Sequence, residues 1–417
     1  MKRSSLARFF VLMFLEVVAA NMVHPVTPTF LTQLQMPEFM FGAAFAAMSL
    51  TNFLFCPFWG AVGDRVGRVR TLFITILGYA AGQILFLFGS TIWQILLARM
   101  VAGVFSGGVT VCFMAYVADT AAPEHCGRAM AVSAALTSAG TAIGYLAGGV
   151  LGDLSVAASF WGQFVILCAT ALGVLLLLAD GEHYVSKEVS FAQALNPLSV
   201  FSRGKGHFTK PMLVFLAGVF LACFASTAYD NAFNYFLKDQ FSFPPSYNGF
   251  IYAAIGVVGI TFNMTAGLWI QRRTTCYLPL AVIFLMAGAT LLASIGIDQE
   301  GPYILVNMVF YLCNSMYLPL QQALAIRQWR DQNGTVSGVF SSVRAASMVT
   351  GALFAGALYE VAPRLPMWVC AAIFFATALV AFYNMLQYRR KDVYKRQTVH
   401  RKRTSPMGLA PVDITPI

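Results

Sequence analysis

Apolar residues in this chain come in blocks of about twenty, separated by short polar breaks, and a membrane-spanning helix needs about that many. The pattern predicts twelve such helices: 7–30, 39–60, 71–90, 93–118, 128–151, 160–179, 212–237, 247–270, 276–294, 303–327, 335–360 and 367–388. They are numbered here as spans 1 to 12. The breaks are short except for one polar stretch at 180–210. The beginning, MKRSSLARFFVLMFLEVV, starts like a secretory signal, but no small-residue cleavage site closes its apolar core. It reads as a retained first span.

Composition agrees with that pattern. Of 417 residues, 58% are hydrophobic and 11% carry charge, where soluble domains carry about 25%. Too little polar surface is present to cover a water-soluble core, and disorder would need the opposite balance. The net charge of +10 suggests nucleic acid at first, but the basic residues lie in short breaks and at the two ends. Of the 27 Lys and Arg, 23 fall in breaks and ends on one side; Lys238 and Arg364 lie in breaks on the other, and Arg99 and Arg344 inside spans. By the positive-inside rule both termini are cytoplasmic. Eight Cys and five His make no ligand-spaced set, so no metal, no cofactor and no catalytic group is expected.

The fold class is therefore an all-α membrane protein, multi-pass in a cell membrane. The expected organisation is a six-helix bundle at 1–179, a cytoplasmic loop at 180–210, a second bundle at 211–390 and a basic, disordered tail at 391–417. The two bundles are copies. A shift of 207 residues places Gly144 on Gly351, Gly149 on Gly356 and Asp153 on Glu360; it also places Gly127 on Gly334, Gly60 on Gly267 and Arg65 on Arg272. An even number of spans per copy gives a parallel repeat about an axis along the membrane normal. Transporters of this build hold their substrate between the halves and rock about it.

The break after span 2 reads Gly60-AVGDRVGRV-Arg70. It resembles the loop signature of the major facilitator superfamily at Gly60, Asp64, Arg65, Gly67 and Arg68. Arg99 with Gly103 is similar to that family's fourth-helix signature. In span 5, Gly140, Gly144, Gly148 and Gly149 match its antiporter-type glycine pattern, with Tyr145 where the pattern has Pro. The resemblance implies twelve helices in two bundles, with spans 1, 4, 7 and 10 lining the cavity. It also implies a latch that closes the cytoplasmic side, in which Asp64 caps span 11 near Gly334 and Arg68 pairs with Asp119. The amides at a helix start favour such an anion.

Ionisable residues within spans are functional candidates. Glu16 and Arg344 lie deep, Arg99 less so, and Asp230 close enough to the far end of span 7 to reach the headgroups. Burial raises a carboxyl pKa, so an acid in this position can carry a proton. Glu16 and Asp230 are the candidate coupling acids, unless Glu16 is permanently paired with Arg99 or Arg344. Span 10 carries Asn307, Tyr311, Asn314 and Gln321 on one helical face. With Asn21 and His24 of span 1, Arg99 and Tyr116 of span 4, and Asn231, Asn234 and Tyr235 of span 7, these form the expected substrate cavity.

The expected function is proton-coupled efflux of small amphipathic molecules by alternating access, with the proton gradient in place of any cofactor. The alternative is a proton-coupled importer or facilitator of a nutrient such as a sugar or organic acid. Partners are a small-molecule substrate, protons and the lipid of a bacterial cytoplasmic membrane. No nucleic acid is expected, and one chain suffices. The composition disfavours a receptor or intramembrane enzyme.

Overall fold

In a computed structural model, the described residues are 3–121, 123–179, 209–262, 265, 277–328 and 333–404. Side chains are described for all of these except 3–5, 123–124, 127, 326–328, 333–338 and 388–404. Every span is helical, and no strand occurs among the described residues. Spans 2 to 6 are Met40–Val66, Arg68–Leu87, Ile92–Thr120, Pro123–Leu154 and Val156–Leu177. Spans 7 to 12 are Lys210–Asp239, Pro245–Phe262, Leu278–Ile295, Glu300–Gln328, Asn333–Val361 and Leu365–Thr404. Eleven of the spans are long and apolar enough to cross a membrane. The twelfth, span 8, is described only as far as Phe262 and at Thr265.

Span 1 is broken into Arg3–Met22 and Thr27–Gln33. The cause lies in two prolines. Pro25 and Pro28 have no N–H to give to the carbonyls of Asn21 and His24, four residues back. Gly67 makes the turn between spans 2 and 3 at φ 113°, a conformation that favours glycine. Thr91 and Gln94 form a capping box at the start of span 4.

Span 12 runs to Thr404, so the first part of the segment expected to be disordered is helix. Its Lys, Arg and Gln are good helix formers, and no Gly or Pro interrupts the chain between Arg389 and Pro406. Residues 180–208 of the central loop, 405–417 of the tail, Gly267 and Arg272 lie outside the described residues.

Twelve alternating spans put both termini on one face, called here the terminal face; the other is the distal face. Within the first half, span 1 packs on 5 and 6, span 3 on 4 and 6, and span 2 on 4. In the second half span 7 packs on 11 and 12, span 9 on 10 and 12, and span 8 on 10. The second set is the first with six added to every number. The backbone repeats as well: the described non-glycine residues with positive φ are Gln35 at 52° and Ser242 at 55°, 207 positions apart.

The halves meet where span 2 packs on span 11 and span 8 on span 5. Both seams lie towards the distal face. One apolar core, with Phe9, Leu72, Phe113 and Leu167, belongs wholly to the first half. The other joins the second half to the distal part of the first, including Val26, Phe41 and Phe160. The molecule is thus closed across its distal face.

Candidate transport site

The distal closure is built from glycines. A Cβ on Gly149 would stand 2.6 Å from the carbonyl oxygen of Pro245, and one on Gly356 would stand 2.6 Å from that of Phe39. Gly249 abuts the Tyr145 carbonyl in the same way, and Gly42 that of Ala352. The Gly249–Tyr145 contact becomes the Gly42–Ala352 contact on a shift of 207 residues with the halves exchanged; the same shift carries Gly149 onto Gly356, whose partner Phe39 is one residue past the counterpart of Pro245. No larger residue fits where backbones approach so closely. The other span 5 glycines do something different. Gly140, Gly144 and Gly148 face span 1 of their own half, against Val17, Val18 and Met22.

Beneath the seam lies a polar junction. Asp230 of span 7 accepts hydrogen bonds from Tyr311 Oη of span 10 at 2.8 Å and from Tyr252 Oη of span 8 at 3.3 Å. Tyr252 stacks on Tyr145 of span 5 at 4.7 Å, and Tyr145 stacks on His24 of span 1 at 5.6 Å. The His24 carbonyl, freed by Pro28, accepts from Asn234 Nδ2 of span 7 at 3.1 Å, and Asn248 donates to Asn234. Both halves therefore contribute to one polar and aromatic group around a carboxyl. Asp230 is part of this junction, held towards spans 8 and 10 by Tyr252 and Tyr311.

Most of the other expected cavity residues have partners of their own. Asn307 accepts from Tyr229 Oη and Asn314 from Ser226 Oγ, so much of the polar face of span 10 joins it to span 7. Gln321 is buried. Asn21 and Asn231 bond the carbonyls of Val17 and Thr227 on their own helices. Tyr235 packs in the span 2–span 11 seam, stacked on Phe41 at 4.7 Å and edge-on to Tyr359. Tyr116 stacks on Phe9 inside the first bundle at 4.6 Å and bonds the Ala179 carbonyl. Arg99 is also interior to that bundle, 4.1 Å above the Phe86 ring. A polar residue on a cavity-lining helix need not face the cavity, and the sequence pattern could not distinguish the two sides.

Glu16 is buried, and among the described residues it makes no hydrogen bond or ion pair. Neither Arg99 nor Arg344, half-buried on span 11, neutralises it. At the terminal face Arg68 bonds Asp119 at 3.2 Å, pairs with Asp64 and reaches the Gly60 carbonyl at 3.3 Å. Asp64 is thus engaged within its own half, and the surroundings of Gly334 lie outside the described side chains. Arg65 stands beside this cluster in sequence.

The residues that the sequence reading passed over are Asn248 and Tyr252, four apart on one face of span 8, and Tyr145. The sole signal for Tyr145 was that it stands where the resembled pattern has proline.

The family model described as Major Facilitator Superfamily matches residues 9–351 and 215–412. Among curated proteins, the class H tetracycline resistance protein of Pasteurella multocida is 24% identical over 389 residues, covering 88% of this chain and 93% of its own. Multidrug resistance protein 2 of Bacillus subtilis is 22% identical, covering 83% and 86%. The quinolone resistance protein NorA of Staphylococcus aureus is 20% identical, covering 91% and 95%. Among solved structures, a bacterial homologue of the human lysosomal transporter Spinster, inward-facing and occupied, superposes with a TM-score of 0.75. It is 12% identical, and the match covers 91% of this chain and 96% of that one. The human organic anion transporter MFSD10 gives 0.62 at 19% identity, covering 91% and 99%.

Proposed function

This chain belongs to the Major Facilitator Superfamily, and on that premise we propose that it is a proton-coupled antiporter exporting small amphipathic molecules across a bacterial cytoplasmic membrane. The observation that supports this reading most directly is the Asp230 junction. A carboxyl bonded by two tyrosines, continued by the Tyr252–Tyr145–His24 stack, suits a ligand with a flat apolar body and a cationic or polar end. Both halves supply the junction, so rocking them apart would open it to one side at a time. The tetracycline, multidrug and quinolone resistance proteins among its relatives agree with this substrate class.

In this reading the terminal face is cytoplasmic, which the Lys and Arg distribution supports. The distal closure is then the state that receives substrate from the cytoplasm. Glu16 carries the proton: a buried carboxyl with no hydrogen-bond or ion-pair partner among the described residues is cheaper neutral than charged. One proton moving down a 100 mV potential supplies roughly 2.3 kcal/mol, enough for about fifty-fold accumulation of a neutral solute. A single chain completes the site, and the gradient supplies the driving force. In everted vesicles holding an imposed acid interior, an amphipathic cation should discharge the pH gradient in proportion to its uptake. Uptake without proton release, or uptake only together with protons, would favour the importer instead.

A further inference from the structure

Behind Glu16 the first bundle encloses polar groups that neither the fold nor the transport site accounts for. Tyr79 and Gln83 of span 3, Arg99 of span 4 and Gln163 of span 6 are each at most 4% exposed. Tyr79 Oη donates to the Ala20 carbonyl at 3.3 Å, one turn along span 1 from Glu16, and Gln83 Nε2 donates to Tyr79 Oη at 2.9 Å. Gln163 lies beside Tyr79, which stands within electrostatic reach of both Glu16 and Arg99. Among the described residues, four polar atoms here make no hydrogen bond of ordinary geometry, although Gln163 approaches Tyr79 Oη: Gln83 Oε1, Gln163 Oε1, Gln163 Nε2 and Arg99 Nε. A buried polar atom left unpaired is costly enough that native interiors rarely tolerate one, and this cluster holds four.

The donor and acceptor inventory identifies the ligand. Two of the four atoms are acceptors and two are N–H donors. A cation would satisfy only the two amide oxygens, beside the Arg99 charge. An anion would satisfy only the two nitrogens and would lie against the amide oxygens. Water donates and accepts, and a buried water with two to four polar partners is an ordinary component of an interior. We propose that Tyr79, Gln83, Arg99 and Gln163 form a bound-water site adjoining Glu16, through which the Glu16 carboxyl is hydrated from behind the transport cavity. The inference rests on the antiporter reading only for its use: these waters give the Glu16 proton a hydrogen-bonded exit that substrate in the cavity does not block.

The test reads the water directly. X-ray hydroxyl-radical footprinting of the full chain in nanodiscs labels side chains beside bound water, and H₂¹⁸O reports exchange. Tyr79 should be labelled at least about five-fold faster than Phe310, which is fully buried in apolar packing. The double variant Gln83→Leu, Gln163→Leu should lose that label. Gln163→Asn, which keeps both polar atoms, should retain it and also controls for misfolding. Labelling of Tyr79 no faster than Phe310, or labelling that persists in the double Leu variant, overturns the proposal. This readout needs no transport, so a failed antiport assay leaves it standing, and a dry Tyr79 leaves the antiport assay to be decided by itself.

Discussion

The carboxylate of Asp153, at the end of span 5, accepts a hydrogen bond at 3.1 Å from the backbone N–H of Ser246, at the start of span 8. The bond ties one half to the other across the distal face, with an anion at the amide end of a helix. By the repeat, Asp153 corresponds to Glu360 and Ser246 to Phe39. Asp153→Ala should weaken distal closure, with the loss of a helix-start acceptor worth about 1 kcal/mol, or up to about five-fold in population. Asp153→Asn, which keeps an acceptor oxygen, should do less. Spin labels on the outer ends of spans 5 and 8 would measure the population of the separated state.

Gly149→Ala places a methyl group 2.6 Å from the Pro245 carbonyl oxygen, and Gly356→Ala does the same against Phe39. Backbone cannot turn aside as a flexible side chain can. Each variant should insert normally and lose transport by about ten-fold or more, with the distal seam held open to thiol reagents. Gly148→Ala acts inside the first bundle, against Met22, and should lower the melting temperature instead. Thermal unfolding and cysteine labelling together separate the two effects.

Asp230→Asn should abolish binding of cationic substrates and spare neutral ones. Tyr311→Phe removes one hydrogen bond to that carboxylate and should cost about 1.5–3 kcal/mol of the interaction, or roughly ten- to a hundred-fold in affinity. Tryptophan quenching titrations with a charged and an uncharged ligand would check both.

A pH dependence follows from the other seam. Burial raises the Glu38 carboxyl above its usual range, and Asp239 and Glu360 raise it further. Tyr359 Oη donates to Asp239 at 2.8 Å, which keeps that carboxylate in place. A carboxyl raised in the closed state favours closure while protonated, and that contribution is lost as pH rises through the raised value. Distal accessibility should therefore increase from acid towards neutral pH, and Glu38→Gln should flatten the profile. With the proposed orientation, an acidic exterior would then favour the closed distal face.

Much of the architecture was legible because membrane spans announce themselves by length, and a parallel repeat by a constant offset. The break at Pro25 and Pro28 is missed by the sequence reading, which runs span 1 unbroken over 7–30; counting back four residues from each proline would have shown which carbonyls lose their donors. The site was less legible. Tyr116 and Tyr235 occupy helices that the resemblance places around a cavity, but a helix has several faces, and each of these tyrosines stacks away from the junction. The partners of Asp230 could not be read from one helix, because Tyr252 and Tyr311 come from two other spans. The partners of Asp64 depend on which face of the molecule is closed, and a sequence does not specify one state of a rocking pair.

The central claim is that Glu16 carries the coupled proton, and substrate-driven proton release from everted vesicles tests it most directly. Glu16→Gln keeps the volume and removes titration. With the variant, an amphipathic cation should still bind at wild-type affinity, while proton release and accumulation against a gradient fall to the level of vesicles without the protein. Accumulation and proton release at the wild-type rate in Glu16→Gln would contradict the account and leave Asp230 as the acid to test next.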